Sequence, residues 1–202
     1  MEKESVFGQT FSYKGEEFAI SLAGVYQKEN AVLALNALEE LDRLGWTTTM
    51  EQRKDGLLHT SWKGRFTVIH KKPLFIVDGA HNAGAADKMA ESVRHYFNGK
   101  KLIYIMGVFA DKEYKIVLEK TAHFAEKIYT IETPDNPRAL PAEELAKAAR
   151  VYNSSAESTK SIKDAVEKAF SCAGDDENSV ILAFGSLSFI GALTNAVEEY
   201  VG

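Results

Sequence analysis

Cysteine is almost missing from this chain: Cys172 is the only one in 202 residues. A single thiol excludes an internal disulfide framework and any cysteine-rich zinc site. Positive charge is not in excess either. The formal net charge is -5, so no global basic field invites nucleic acid. No apolar run approaches the ~18 residues of a membrane-spanning helix. The start, Met1-Glu-Lys-Glu-Ser5, is charged and has no signal-peptide core. Together these features predict a cytoplasmic protein that partners neither nucleic acid nor membrane. The phosphate loop G-x-x-x-x-G-K-S/T is absent, and no G-x-G-x-x-G follows a strand, so dinucleotide binding has no support. His59, His70, His81, His95 and His123 form no H-x-x-x-H pair, which argues against a helical zinc site, and no metal ligands are expected in this chain. Ser186, His81 and Asp78 could compose a hydrolase triad, but Ser186 follows a single glycine and no G-x-S-x-G elbow exists.

What is present centres on Leu74–Asn82, Leu-Phe-Ile-Val-Asp-Gly-Ala-His-Asn. The unbroken apolar run Leu74–Val77 predicts a strand buried on both faces, as in parallel sheets. A carboxylate (Asp78), a flexible glycine, an imidazole (His81) and an amide (Asn82) then stand at its carboxyl end, the edge where open α/β sheets bind ligands. Asp78 and Asn82 could equally serve as local caps.

The pattern before that strand differs. Phe7–Phe11 and Phe18–Leu22 read as a hairpin around Lys14-Gly15. A helix follows, with Ala31, Ala34, Leu38, Leu41 and Leu44 at helical spacing and Gly45 as its stop. Gln27 and Asn30 lie three apart near its start, where they either hydrogen-bond locally or meet a ligand. A short helix over 47–58 leads to Trp62-Lys-Gly64-Arg65-Phe66, in which Gly64 permits close backbone approach and Arg65 adds a permanent cation. Lys71-Lys72-Pro73 marks an expected domain boundary, dividing 1–70 from 71–202.

Beyond Pro73 strands and helices alternate. Apolar strands are predicted at 74–77, 102–106, 127–131 and 180–184, with an edge strand at 156–158. Helices separate them, including one whose apolar face is Ala83, Ala86, Met89, Ala90, Val93 and Phe97. Pro141 opens another, and Ser161–Asp164 resembles a capping box. The alternation predicts a doubly wound, mostly parallel α/β sheet. Asp78–Asn82, Asp111-Lys112 and Gly185-Ser186 then share its carboxyl edge, with Gly185-Ser186 at a helix start suited to an anion.

Taken in order, Gln27…Asn30, Trp62-x-Gly64-Arg65-Phe66, Asp78-Gly-Ala-His81-Asn82, Met106-Gly107…Asp111-Lys112 and Gly185-Ser186-Leu187 resemble folylpolyglutamate synthase and dihydrofolate synthase, ATP-dependent amide ligases of the Mur ligase superfamily. The resemblance covers the C-terminal half of such an enzyme. It implies a Rossmann-like C-terminal glutamate ligase domain at 71–202, preceded at 1–70 by a remnant of the central ATP-binding domain. It implies ATP contacts at Asn30, Arg65 and Asp78, and positions near the incoming glutamate at His81 and Ser186. ATP and Mg²⁺ are the implied cofactors, with the metal ligands and phosphate loop in the other half. Folate or dihydropteroate and L-glutamate are the implied substrates, and the full-length parent would be a monomer. A chain lacking that half should be inactive alone. Tyr26, Lys63 and Ala83 replace the family's usual His, Pro and Pro. A Mur-type ligase adding an amino acid to a cell-wall precursor, or a non-catalytic α/β module binding a nucleotide or amino acid, are the competing readings.

Overall fold

The computed structural model of the chain describes residues 4–202, so the charged start at residues 1–3 lies outside the described residues. The chain divides into two compact units, which part between Thr67 and Val68.

The first unit is a small antiparallel sheet with two helices. Strands β1 (Glu4–Ser5), β2 (Gly8–Tyr13) and β3 (Glu16–Ile20) form a meander. The β2–β3 turn is Lys14-Gly15, with φ of 50° and 85°. Two successive positive φ values suit the right-handed strand twist. They set the register Tyr13 opposite Glu16 and Phe11 opposite Phe18, and the two phenylalanine rings stack at 5.7 Å. Helix α1 (Gln27–Arg43) lies on this sheet, and α2 (Met50–His59) starts at a full capping box between Thr49 and Gln52. One expectation fails here. Ala31 is buried, but Ala34, Leu41 and Leu44 are exposed, and the inward row is Gln27, Ala31 and Leu35. Both rows have helical spacing, and only the position of the small sheet selects between them.

The second unit holds β4 (Thr67–Lys71) from Val68 onward, β5 (Leu74–Val77), α3 (Ala83–Phe97), β6 (Lys101–Met106), α4 (Tyr114–Thr121), β7 (Lys127–Thr130), α5 (Ala142–Arg150), β8 (Ala156–Ser158), α6 (Ile162–Ala173), β9 (Ser179–Phe184) and α7 (Ile190–Val201). The six-stranded sheet has the order β4-β5-β9-β6-β7-β8. Every pairing from β5 to β8 is parallel. At Lys71-Lys72-Pro73, where the boundary is expected, a tight turn joins neighbouring strands β4 and β5 just past the point where the two units part. Proline and charge mark an exposed turn, and a turn inside a domain satisfies them as well as a linker does.

The central strands are covered on both sides. All six residues of β9 are buried, so β9 carries the continuous apolar run that a parallel strand between helix layers requires. On one face Phe75, Ile103, Ile105 and Ile181 pack against Val166, Phe170, Leu193 and Val197 of α6 and α7. The inward row of α3 is Ala86, Met89, Ala90, Val93 and Phe97, at the spacing of threes and fours that its sequence predicts. Among the described residues no helix is long and apolar enough to cross a membrane.

Candidate functional site

The carboxyl ends of β5, β6 and β9 converge because two glycines let them. A Cβ on Gly185 would stand 2.5 Å from the Gly107 carbonyl oxygen, and one on Gly107 would stand 2.8 Å from Ile131. Gly185 also takes a φ of +116°, a conformation that only glycine adopts without strain. The loops after β6 and β9 therefore touch, and the side chains that follow them meet in one cavity of about 230 Å³, lined by His81, Phe109, Lys112, Arg138, Ser186 and Ser188 among others.

Each side chain there is held for a local reason. Asp78 extends the ladder by donating its backbone N–H to the Ala183 carbonyl, and its buried carboxylate accepts the Ala80 N–H at 2.8 Å. That bond folds the Asp-Gly-Ala turn and delivers His81. His81 Nδ1 is 2.7 Å from the Gly79 carbonyl oxygen. A carbonyl can only accept, so Nδ1 carries the proton and Nε2 is the ring atom left for a ligand. Asn82 caps α3 by accepting the Ala85 N–H, and Glu113 closes the same helix end by accepting the Ala83 N–H at 3.1 Å. Asn82 is thus a cap. Buried Ser186 caps the turn into α7, accepting the Ser188 N–H at 3.2 Å with its hydroxyl 2.7 Å from that of Ser188.

His81, Lys112 and Ser186, from three sequence clusters, are brought together here, whereas Asp78 and Asp111 do not line the cavity. Asp111 acquires a role from Arg138, whose guanidinium pairs with its carboxylate at 3.3 Å and lies 4.5 Å above the Phe109 ring. Sequence reasoning missed Arg138, Phe109 and Ser188. The loop Thr133-Pro-Asp-Asn-Pro137 was legible only as a strand terminator. In the structure it is pinned to the loop after β6, where Ala110 donates to the Arg138 carbonyl at 2.8 Å and Leu140 to that of Val108 at 3.0 Å. A basic residue just past a proline-bounded loop at a carboxyl edge was the available signal. Two cations, an imidazole and two hydroxyls in a small cavity suit an anionic ligand with more than one oxygen cluster.

A second constellation forms within the first unit. Asn30 and Arg65 both line a cavity of about 430 Å³, with Tyr26, Gln27 and Trp62 as other polar or aromatic walls. Asn30 Nδ2 donates to Gln27 Oε1 at 2.9 Å. Whichever amide donates, the donating residue keeps its carbonyl as an acceptor and N–H groups remain to offer. Leu22 in the cavity wall is held from behind the strand by buried Gln9, whose Nε2 donates to the carbonyls of Leu22 (3.0 Å) and Gly24 (2.9 Å). Arg65 is half-buried, and among the described residues no carboxylate lies within ion-pair distance of it. A guanidinium in that state suits an anion from outside. Among the described residues no group of three or more His, Cys, Asp or Glu could hold a metal ion.

A doubly wound parallel sheet with cations and hydroxyls gathered at its carboxyl edge defines a ligand-binding α/β domain. The family model described as Mur ligase, glutamate ligase domain, matches residues 64–187, and the chain belongs to that family. More particularly, it is 29% identical over 197 residues to the dihydrofolate synthase/folylpolyglutamate synthase of Bacillus subtilis, covering 95% of this chain and 45% of that protein. The folylpolyglutamate synthase of Thermotoga maritima superposes with a TM-score of 0.75 at 26% identity, covering 95% of this chain and 44% of its own. That of Mycobacterium tuberculosis, complexed with ADP and AMPPCP, superposes with a TM-score of 0.81 at 24% identity over 100% of this chain and 46% of its own. The chain therefore spans less than half the length of these relatives.

Proposed function

We propose that this chain is the glutamate-ligase part of an ATP-dependent ligase that joins L-glutamate to a folate or to dihydropteroate. The observation that carries the reading is the pairing of two unlike sites in one short chain. One offers an amide pair beside a guanidinium with no carboxylate partner among the described residues, between aromatic walls, and the other offers cations and hydroxyls. The first fits a nucleotide: the amide donor and acceptor match the edge of a purine, the Tyr26 and Trp62 rings suit its faces, and Arg65 suits phosphate. The second fits the carboxylates of glutamate.

ATP, when bound, supplies the phosphoryl group that activates the acceptor carboxylate, with Mg²⁺ offsetting its charge. Asn30 and Arg65 are the contacts proposed for it in the first unit. Asp78, in the second unit, is proposed as a further ATP contact from its place at the end of β5. Lys112, Arg138 and Ser186 hold the carboxylates of the incoming glutamate. His81, with its proton fixed on Nδ1, offers Nε2 to take a proton from the glutamate ammonium. The domain at 1–70 is proposed as the remnant of a central ATP-binding domain, and 71–202 as the glutamate ligase domain.

Nuclear magnetic resonance of the chain itself tests this. ADP should shift the side-chain amide signals of Gln27 and Asn30 and the indole signal of Trp62, while L-glutamate should shift backbone signals over 185–188. Absence of both responses at millimolar ligand would remove the proposal.

A further inference from the structure

Arg65 reaches its cavity from a short loop whose backbone is held in an unusual shape. Trp62 and Arg65 both line that cavity. A tight turn joins them, in which the Arg65 N–H donates to the Trp62 carbonyl at 3.3 Å. Gly64 takes a φ of +79° inside the turn, and Phe66 takes +47° just after it. Arg65 thus stands between two residues of left-handed backbone. Glycine adopts that conformation freely, but phenylalanine keeps it only where its surroundings hold it there. Phe66 is 1% exposed, so burial of its ring supplies the hold on one side of Arg65.

Thr67 supplies a second hold. Its hydroxyl lies 3.1 Å from the Trp62 carbonyl oxygen and 3.3 Å from the Arg65 backbone nitrogen. The Arg65 carbonyl oxygen is further away, at 3.4 Å. A hydroxyl has one proton to give and lone pairs to receive with. It therefore donates to the Trp62 carbonyl and accepts the Arg65 N–H, and one side chain bridges both ends of the turn. Neither an ion pair nor deep burial fixes the two groups that the turn presents. Arg65 has no carboxylate partner among the described residues, and Trp62 is 62% exposed. Their placement depends on the backbone that carries them. Groups that stand pre-arranged bind more tightly, since less freedom is lost on binding. Strained backbone recurs at ligand clamps for that reason.

Resting on the nucleotide reading above, we propose that the Thr67 hydroxyl is a positioning group for Arg65. It holds the turn at 62–65 so that the guanidinium meets the phosphates of a nucleotide whose base lies against Trp62, Gln27 and Asn30. Strand propensity alone does not call for it. Strand β4 begins at Thr67, and valine would suit a strand start equally well. The hydroxyl is the part of this side chain that the strand does not use.

The experiment titrates the 202-residue chain with ADP and with adenosine, following the Trp62 indole signal and the Gln27 and Asn30 side-chain amide signals. Thr67→Val keeps the shape of the side chain and removes the hydroxyl. It should raise the apparent Kd for ADP about five- to tenfold, the scale of one lost polar contact. Adenosine has no phosphates for Arg65 to meet, so its apparent Kd should move less than about twofold. Thr67→Ser keeps the hydroxyl and should bring ADP binding back to within about twofold of the wild type. Without ligand, backbone amide relaxation should show residues 62–66 more mobile in Thr67→Val, with β2 and β3 unchanged. Thr67→Ala serves as the second variant if Thr67→Val melts earlier than the wild type. Equal losses for ADP and adenosine, failure of serine to restore binding, or an unaltered loop overturns the proposal. If the loop loosens but the wild type answers neither ligand, the positioning role stands and the nucleotide reading falls. If the wild type binds ADP and Thr67→Val binds it equally well, the nucleotide reading stands and the positioning role falls.

Discussion

At the scale of single residues, the sites differ in how firmly their groups are held. Arg65 has no carboxylate partner among the described residues, so its charge is available to a ligand. In a full-length ligase containing this chain, Arg65→Ala should lower turnover about 10²–10³-fold, the scale of one lost transition-state contact. Steady-state ADP release measures it, and an unchanged rate would remove Arg65 from the site. Asp78→Asn should chiefly raise the ATP concentration required, as loss of a ground-state contact does. Arg138 is anchored by Asp111 and Phe109, so Arg138→Ala should raise the KM for glutamate with a smaller change in kcat, and glutamate titrations would show it.

One residue pair also gives a pH dependence. The ammonium of Lys127, 2.6 Å from Glu157, with Lys168 at 3.2 Å, holds the Glu157 carboxyl below its usual 4.5. A carboxyl lowered in the folded state stabilises the fold at pH above its unfolded pKa, and that contribution fades as pH falls through the lowered folded value. Urea midpoints of wild type and Glu157→Gln should therefore differ most near neutrality and converge in acid. A gap that stays constant into acid would contradict the assignment. The effect should be modest, because the Glu157 side chain is 39% exposed.

At the scale of elements, the deciding contacts are between loops. The loops after β6 and β9 approach within a distance that excludes a Cβ at Gly185. Gly185→Ala should cost about 2 kcal/mol or more, from strain at positive φ and from the clash together. It should also displace Ser186, so glutamate-dependent shifts over 185–188 should vanish even where the protein stays folded. Chemical denaturation and the glutamate titration read the two effects separately. Helix α1 shows the opposite situation. Its residues give two apolar rows, and the element alone does not choose between them.

At the scale of the molecule, the two units are stabilised unequally. The first buries Phe11, Phe18, Ile20, Ala31 and Leu35 as its cluster. One face of the second unit's sheet alone buries a far larger cluster, from Phe75 to Val197. Small cores leave little stability after chain entropy. Amide hydrogens of β2 and β3 should therefore exchange faster than those of β6 and β9. The chain alone should release no ADP when given ATP, Mg²⁺, glutamate and a folate. A clear folate-dependent rate would require a phosphate site of its own.

Much of this was determined by the sequence alone. Short unbroken apolar runs bounded by turn residues suit strands buried on both faces, so 74–77, 102–106 and 180–184 were legible as a parallel core, and the polar residues that end them were legible as one edge. The motif order carried the family, and local chemistry carried the caps at Asn82 and Ser161. Other features were decided only by the tertiary structure. Lys71-Lys72-Pro73 reads identically as a linker or as a turn, because both need only exposure, and sheet pairing made it a turn. The face that α1 buries depended on where β2 and β3 lie, since helical periodicity fixes a spacing and not a direction. Arg138 entered the site through long-range backbone bonds between two loops, and such contacts join residues whose separation in sequence carries no periodic trace.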